Sequence, residues 1–196
     1  MAKAIKFKRK STPMPRSAKR VFKGEIFDVY HWQQKMFDGT YGRWERLKRS
    51  DSANVVAVTS DKKIIINDEQ QPGKDKFIAL PGGRVDKNES PLQAAKRELL
   101  EESGYVSDKW ELWFKFQASS KIEWIAYIFI ARGCRKISDP TPDSGEVIKT
   151  KLVSFERLID LIVSDEYRDI ELKLELLKTK FDKKKIAQLR RYLIGG

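Results

Sequence analysis

Glu98, Glu101 and Glu102 fall within RELLEESG, residues 97–104. On a helix they stand at i, i+3 and i+4 and share one face. The flanks favour a helix there. Ser90-Pro91 supplies an N-cap and a first-turn proline, and Gly104 supplies a stop. Leu92, Ala95 and Leu99 recur between them at helical spacing. Carboxylates so placed repel one another, and near a helix C-terminus the dipole also disfavours them. An acidic cluster on a helix is most often a solvated face. This chain, however, holds 40 Lys and Arg against 28 Asp and Glu, so the crowding is no by-product of an acidic composition. A divalent cation, which takes oxygen ligands, would compensate it.

The surroundings narrow the chemistry. Gly83 is followed after five residues by Glu89, and after seven more by Arg97-Glu98-Leu99; Glu101-Glu102 and Gly104 complete the pattern. This resembles the Nudix box, with every specified polar and glycine position matched. Tyr105 stands where an aliphatic residue is more usual. The box covers 23 of the 196 residues. The resemblance implies an α+β fold, an αβα sandwich with a mixed β-sheet and a catalytic loop–helix–loop. It also implies Mg2+ or Mn2+ held against a diphosphate by Glu98, Glu101 and Glu102, with the carbonyl of Gly82 as a further oxygen ligand. Arg97 would orient a box glutamate by an ion pair, and Glu89 would brace the loop. Bound metal would neutralise charge on phosphoryl oxygens and activate water.

A general base is expected from outside the box. Glu146, in a Pro/Gly/Ser-rich loop, matches the late acidic loop of family members similar overall to this chain. The ADP-ribose pyrophosphatase branch often carries two acids there, separated by one residue. Here those positions are Ser144 and Glu146, with Asp143 adjacent. Glu123, in SSKIEWI, is the alternative base. The N-terminal portion looks like the same branch, which implies substrate contacts near Arg43 and a homodimer through the hairpin region. Arg43, Trp44 and Arg84 are the substrate-binding candidates. Trp32, Trp44 and Trp124 could stack on a base, although a strand tryptophan is more commonly core. Two departures count against ADP-ribose itself. Glu69-Gln70 is followed by Gln71-Pro72 rather than by an arginine, and Gln117–Lys121 lacks a proline. The expected substrate is therefore a nucleoside diphosphate linked to another group. Nucleoside triphosphates or an RNA 5′ pyrophosphate form one alternative, and a non-enzymatic nucleotide sensor another. The full glutamate set argues against a pure sensor.

The chain must position these groups. At 196 residues it is long enough for one domain with a sizeable core. Its apolar runs are too short to span a bilayer. A lone cysteine, Cys134, suits a cytoplasmic location, and a lone histidine, His31, leaves no zinc cluster. Residues 1–20 carry eight Lys and Arg and no acid, and without them the excess of positive charge falls to four. We expect a flexible basic tail over 1–20, a Nudix domain over 21–177, and a basic helical extension over 178–196. The basic ends could track a nucleic-acid backbone. Strands are expected over 25–34, 41–48, 54–59, 63–66, 77–80, 109–117, 122–132 and 147–153, with a hairpin turn at Asp38-Gly39 and a polar loop over 68–75. Helices are expected from Ser154 to about Val163 and, as one helix or a broken pair, over 168–193.

Overall fold

In a computed structural model, residues 13–117, 119–142 and 144–195 are described. The chain opens with three strands, β1 (Lys19–Lys23), β2 (Asp28–Lys35) and β3 (Tyr41–Lys48). Next come β4 (Ser52–Thr59), β5 (Ile64–Gln70), β6 (Phe77–Ala79) and β7 (Gly82–Arg84). Helix α1 (Pro91–Ser103) leads into β8 (Tyr105–Val106), β9 (Lys109–Phe116), β10 (Ile122–Glu123), β11 (Ala126–Lys136) and β12 (Val147–Val153). Helices α2 (Phe155–Ile162), α3 (Ile170–Lys180) and α4 (Lys183–Ile194) follow. The 168–193 stretch is thus a broken pair. Of the basic tail expected over 1–20, residues 1–12 lie outside the described residues, whereas Lys19 and Arg20 belong to β1.

Among the described residues the strands form two sheets. One runs β1-β2-β3-β10; the other runs β12-β5-β4-β11-β8, with β6 on β5, β7 on β4 and β9 on β11. Pairing of β4 with β11 is parallel, while β5 with β12 and β9 with β11 are antiparallel, so the large sheet is mixed. Alternation along its central strands splits the core. Ala53, Val55, Ala57, Ile65, Phe129 and Ala131 face α1, where they meet Ala94, Ala95 and Leu99. Val56, Val58, Ile64, Ile66, Ile128 and Ile130 face the other way and pack with residues of α2, α3 and α4. A period of two on three adjacent strands therefore builds a helix–sheet–helix sandwich. The fold is α+β, as expected.

Two expectations change. The loop expected over 68–75 begins later, because Asp68, Glu69 and Gln70 are held in β5 by β12 on one edge, and two of them by β6 on the other. Ladder pairing overrides their low strand propensity. The strand expected over 122–132 is broken at Trp124-Ile125. Ile122 and Glu123 pair with β3 in the small sheet, and the chain then crosses to β4. Asp51 fixes that crossing, since its carboxylate accepts from the Ile125 N–H at 2.8 Å.

The expected boundary at 177/178 falls inside α3, and Leu189 and Leu193 of α4 are fully buried in the same cluster as Val56 and Ile64. Tyr192 donates to Glu111 on β9 at 2.7 Å, and Arg132 on β11 donates to the Tyr192 carbonyl at 2.8 Å. Helix α4 is therefore fastened to the sheet by both apolar and polar contacts. Leu193→Ala should lower the unfolding free energy by about 2–5 kcal/mol, measured by urea denaturation. An undiminished midpoint would show that α4 does not contribute to the core.

Candidate active site

The site begins where two strands part. β4 and β5 pair at Val58 and Ile64 and then diverge. β5 continues against β6, with Asn67 opposite Ala79 and Glu69 opposite Phe77. β4 continues against β7, with Ala53 opposite Gly83 and Asn54 opposite Gly82. Leu80-Pro81 joins the two inserted strands, and the Pro81 carbonyl accepts from the Val55 N–H at 2.8 Å. The wedge so filled opens into a cleft of about 360 Å3 lined by Gly82, Gly83, Glu69, Glu102 and Glu146, among others. A Cβ on Gly83 would meet the Glu98 carboxylate, so strand backbone and helix carboxylate adjoin directly there.

Helix α1 brings the acidic cluster to this backbone. Its start is a complete capping box, with Ser90 accepting from the Gln93 N–H and Gln93 accepting from the Ser90 N–H. Its end is Gly104, left-handed at φ 74°, where a side chain would strike the Ser138 carbonyl. Arg97 is the hub of the helix face. One terminal nitrogen donates to Glu98 at 2.8 Å and to Glu101 at 3.0 Å. The other donates to Glu89 at 2.8 Å and to the Arg84 carbonyl at 3.0 Å. Glu89 also accepts from the Asp86 N–H at 2.7 Å. The hydrogen bonds to Arg97 hold the Glu89 carboxyl below its ordinary range, while burial pushes Glu98 up despite the Arg97 charge beside it.

Glu102 lies deeper and is only 5% exposed. One of its oxygens accepts from the Gly82 N–H and from the Asn67 side-chain amide, both at 2.9 Å. Burial, and after it the negative charge of Glu69, push the Glu102 carboxyl well above its ordinary value; the Gly82 N–H opposes them. Glu69 is 4% exposed. Burial raises it to about 7, against the pull of the Arg168 guanidinium and with Glu146 and Asp169 adding repulsion. Glu146, opposite in the cleft, accepts from the Gln71 side-chain amide at 2.7 Å.

Gly82, Arg84, Glu102 and Glu146 thus line one cleft, and Glu98 and Glu101 meet at Arg97 next to Gly83. Arg84 also pairs with Asp86 at 2.9 Å. Glu123 is placed elsewhere: it accepts from the Met14 N–H at 3.0 Å and pairs with Lys48 at 3.1 Å. Burial pushes its carboxyl up, but those partners more than offset it and leave it low. Arg43 and Trp44 are on β3 in the small sheet and do not line this cleft. Trp44 stands opposite Trp32, under the Lys121 ammonium at 5.0 Å. Asp143 lies outside the described residues. His31 meets Glu45 at 2.9 Å, away from the cleft, and Cys134 is buried in β11, where burial raises its thiol to about 11.

Sequence reasoning missed Glu69, Asn67, Arg49 and Arg168. For the first two a signal existed. Ile65, Asn67 and Glu69 alternate on the α1-facing side of one strand, so an apolar run that turns polar on that side points at the helix carboxylates. Arg49 stacks over Trp124 at 4.9 Å and Arg168 over Phe77 at 4.7 Å, contacts between residues distant in sequence.

The donor set suits a hard divalent cation. Glu98, Glu101 and Glu102 offer carboxylate oxygens on one helix face, two of these carboxyls are raised by burial, and the Gly82 backbone adjoins them. Among the described residues no three acidic, histidine or cysteine side chains already converge as a metal centre. The Arg97 guanidinium is the positive charge nearest Glu98 and Glu101.

Comparisons with known proteins agree with this architecture. A family model described as NUDIX domain matches residues 48–173. The ADP-ribose pyrophosphatase of Bacillus subtilis (strain 168) is 28% identical over 153 residues, which is 76% of this chain and 83% of that protein. An RNA pyrophosphohydrolase of Bartonella henselae is 30% identical over 105 residues, 43% of this chain and 61% of its own. The solved structure of an ADP compounds hydrolase superposes with a TM-score of 0.68 over 91% of this chain and 98% of that one; at 20% identity this is a likeness of fold.

The raised Glu69 carboxyl has a pH signature. Between its ordinary value of 4.5 and about 7, the folded state keeps a proton that the unfolded state has lost. Stability should therefore fall as pH rises through that window, by an amount on the order of a few kcal/mol, and level off above it. Glu69→Gln should flatten the profile and raise stability at pH 8, measured by denaturant unfolding in chelator. A variant with the wild-type slope would show that Glu69 is not the group responsible.

Proposed function

Because the chain belongs to the Nudix family and is a Nudix hydrolase, we propose that it cleaves the diphosphate linkage of a nucleoside diphosphate joined to a second group, such as ADP-ribose or a nucleotide sugar, with Mg2+ or Mn2+ as cofactor. The observation that carries this reading is the meeting of Glu69, Glu102 and Glu146 with the Gly82-Gly83 backbone in one cleft. Glycine backbone lets a diphosphate approach closely. The similarity to the Bacillus subtilis ADP-ribose pyrophosphatase, which covers most of both chains, supports the substrate class.

We assign the roles as follows. Glu98, Glu101 and Glu102, with the Gly82 carbonyl, would hold the cation, which supplies Lewis acidity and neutralises charge on the phosphoryl oxygens. Arg97 keeps Glu98 and Glu101 in place, and Glu89 anchors Arg97 in turn. Arg84, at the cleft wall, offers a cation to the diphosphate. Trp124 offers an aromatic face beside Arg49. Glu146 accepts the proton of the attacking water, from a loop whose side chain Gln71 steadies. Glu123 is a less suitable base, because Met14 and Lys48 already hold it. We place a homodimer contact on the small sheet and its β2–β3 hairpin turn, where Phe22, Phe37 and Tyr41 are exposed. RNA 5′ pyrophosphate stays as the second reading, supported by the Bartonella henselae relative and the net charge of +12.

A panel of ADP-ribose, nucleotide sugars, dinucleoside polyphosphates, nucleoside triphosphates and 5′-triphosphorylated RNA, assayed with Mg2+ and with Mn2+, tests this reading. Turnover confined to triphosphates or RNA would overturn it. On the favoured substrate, Glu102→Gln should lower kcat by about two orders of magnitude or more with the fold retained. Glu146→Gln should lower kcat about 10²- to 10⁴-fold with little change in KM, and Glu123→Gln should stay near wild type. If Glu123→Gln is the crippled variant, the base is Glu123 of β10.

A further inference from the structure

The cleft is lined by an arginine, Arg168, that the roles above leave without a task. Arg168 follows α2. Its backbone is fixed at the edge of β6: the Ile78 N–H donates to the Glu166 carbonyl at 2.7 Å, and the Arg168 N–H donates to the Ile78 carbonyl at 3.0 Å. Tyr167, between them, bridges to Ile78 and is buried. The segment therefore behaves as an added strand, and it presents the next side chain to the cleft in a set direction. The Arg168 guanidinium lies over the Phe77 ring at 4.7 Å. It is exposed, lines the cleft with Glu69, Gly82 and Gly83, and forms no salt bridge among the described residues. Glu69 feels its charge but is not ion-paired with it.

A guanidinium resting over an aromatic ring is partly restrained and loses less freedom on binding an anion. Such a group at the wall of a diphosphate cleft is arranged for a planar, two-point contact with phosphoryl oxygens. Arg49 and Trp124, which precede β4 and β11, also line the cleft, whereas Arg168 is held at the edge of β6. We propose that Arg168, backed by Phe77, is a specificity-determining residue that binds phosphoryl oxygens of the substrate on the β6 side of the cleft. Those oxygens belong either to the scissile diphosphate or to a phosphate on the second moiety. The proposal rests on the preceding assignment of a nucleoside diphosphate substrate.

The test compares wild type, Arg168→Ala, Arg168→Lys and Phe77→Leu. Dissociation constants are measured at fixed Mg2+ for the α,β-methylene analogue of ADP-ribose and for the same analogue phosphorylated on its distal ribose. KM and kcat are measured for the hydrolysable counterparts. Arg168→Ala should weaken binding about tenfold or more and raise KM in step, with kcat within about twofold, as for loss of a charge-assisted contact made equally in ground and transition states. Arg168→Lys should recover part of the loss, and Phe77→Leu should show a smaller one. Thermal midpoints should stay at the wild-type value, which a merely structural role would not leave unmoved. Weakening with both ligands assigns the contact to the diphosphate; weakening with the phosphorylated ligand alone assigns it to the distal phosphate. Unchanged dissociation constants with both ligands overturn the proposal. A wild type that binds the analogues without cleaving their counterparts would sink the enzymatic reading while Arg168 is still judged by binding. A wild type that binds neither sinks both.

Discussion

The structure turns on the cost of keeping several carboxylates out of water and next to one another. Repulsion between exposed acids at i, i+4 costs only a few tenths of a kcal/mol. Removing a carboxylate from water costs several kcal/mol unless it is paired or keeps its proton. Desolvation is therefore the larger effect here, and burial is the leading cause of the upward shift at Glu69, Glu98 and Glu102 alike. The surrounding groups answer it locally. Arg97 gathers Glu89, Glu98 and Glu101 on one guanidinium, and a backbone N–H and an asparagine amide serve Glu102. A cluster kept under such strain suits the reception of a cation.

The sheet makes this possible by coming apart. Parted β4 and β5 leave a wedge, and in the glycine strand inserted there backbone meets the helix carboxylates without an intervening Cβ. The cleft that results has acids at its base and arginines on its walls. Such a distribution matches a ligand that is anionic and must also approach cations held by anions. Field focusing between low-dielectric walls strengthens both halves.

Much of this was legible in the sequence, because it was local. Glu98, Glu101 and Glu102 share a helix face by spacing alone, and Ser90, Pro91 and Gly104 mark the helix ends to within a residue. The sandwich followed from the resemblance and from strands on either side of that helix. What could not be read depends on pairing at a distance. Asp68, Glu69 and Gln70 looked like a loop by composition, yet neighbouring strands hold them extended. Trp124 and Ile125 read as part of one strand over 122–132, and are where the chain passes from one sheet to the other. Arg43 and Trp44, expected near the substrate by resemblance, stand on β3 in the small sheet and do not line this cleft. Arg168 gave no signal, since its place depends on a single bridge to Ile78.

The docking of α4 has a consequence for the order in which the molecule is made. The α2–α4 face of the central sheet is begun by Val56, Val58, Ile64 and Ile66, and is completed by Leu189, Leu193 and Ile194, more than a hundred residues later. At ribosomal rates of about 5–20 residues per second, that interval is on the order of ten seconds. During it α2 and α3 cover that face only in part, and the places of Leu189, Leu193 and Ile194 stay open, while the opposite face has α1 to cover it. A chain made only as far as residue 182 therefore has that part of its apolar face open to water, and α4 is the element that covers it.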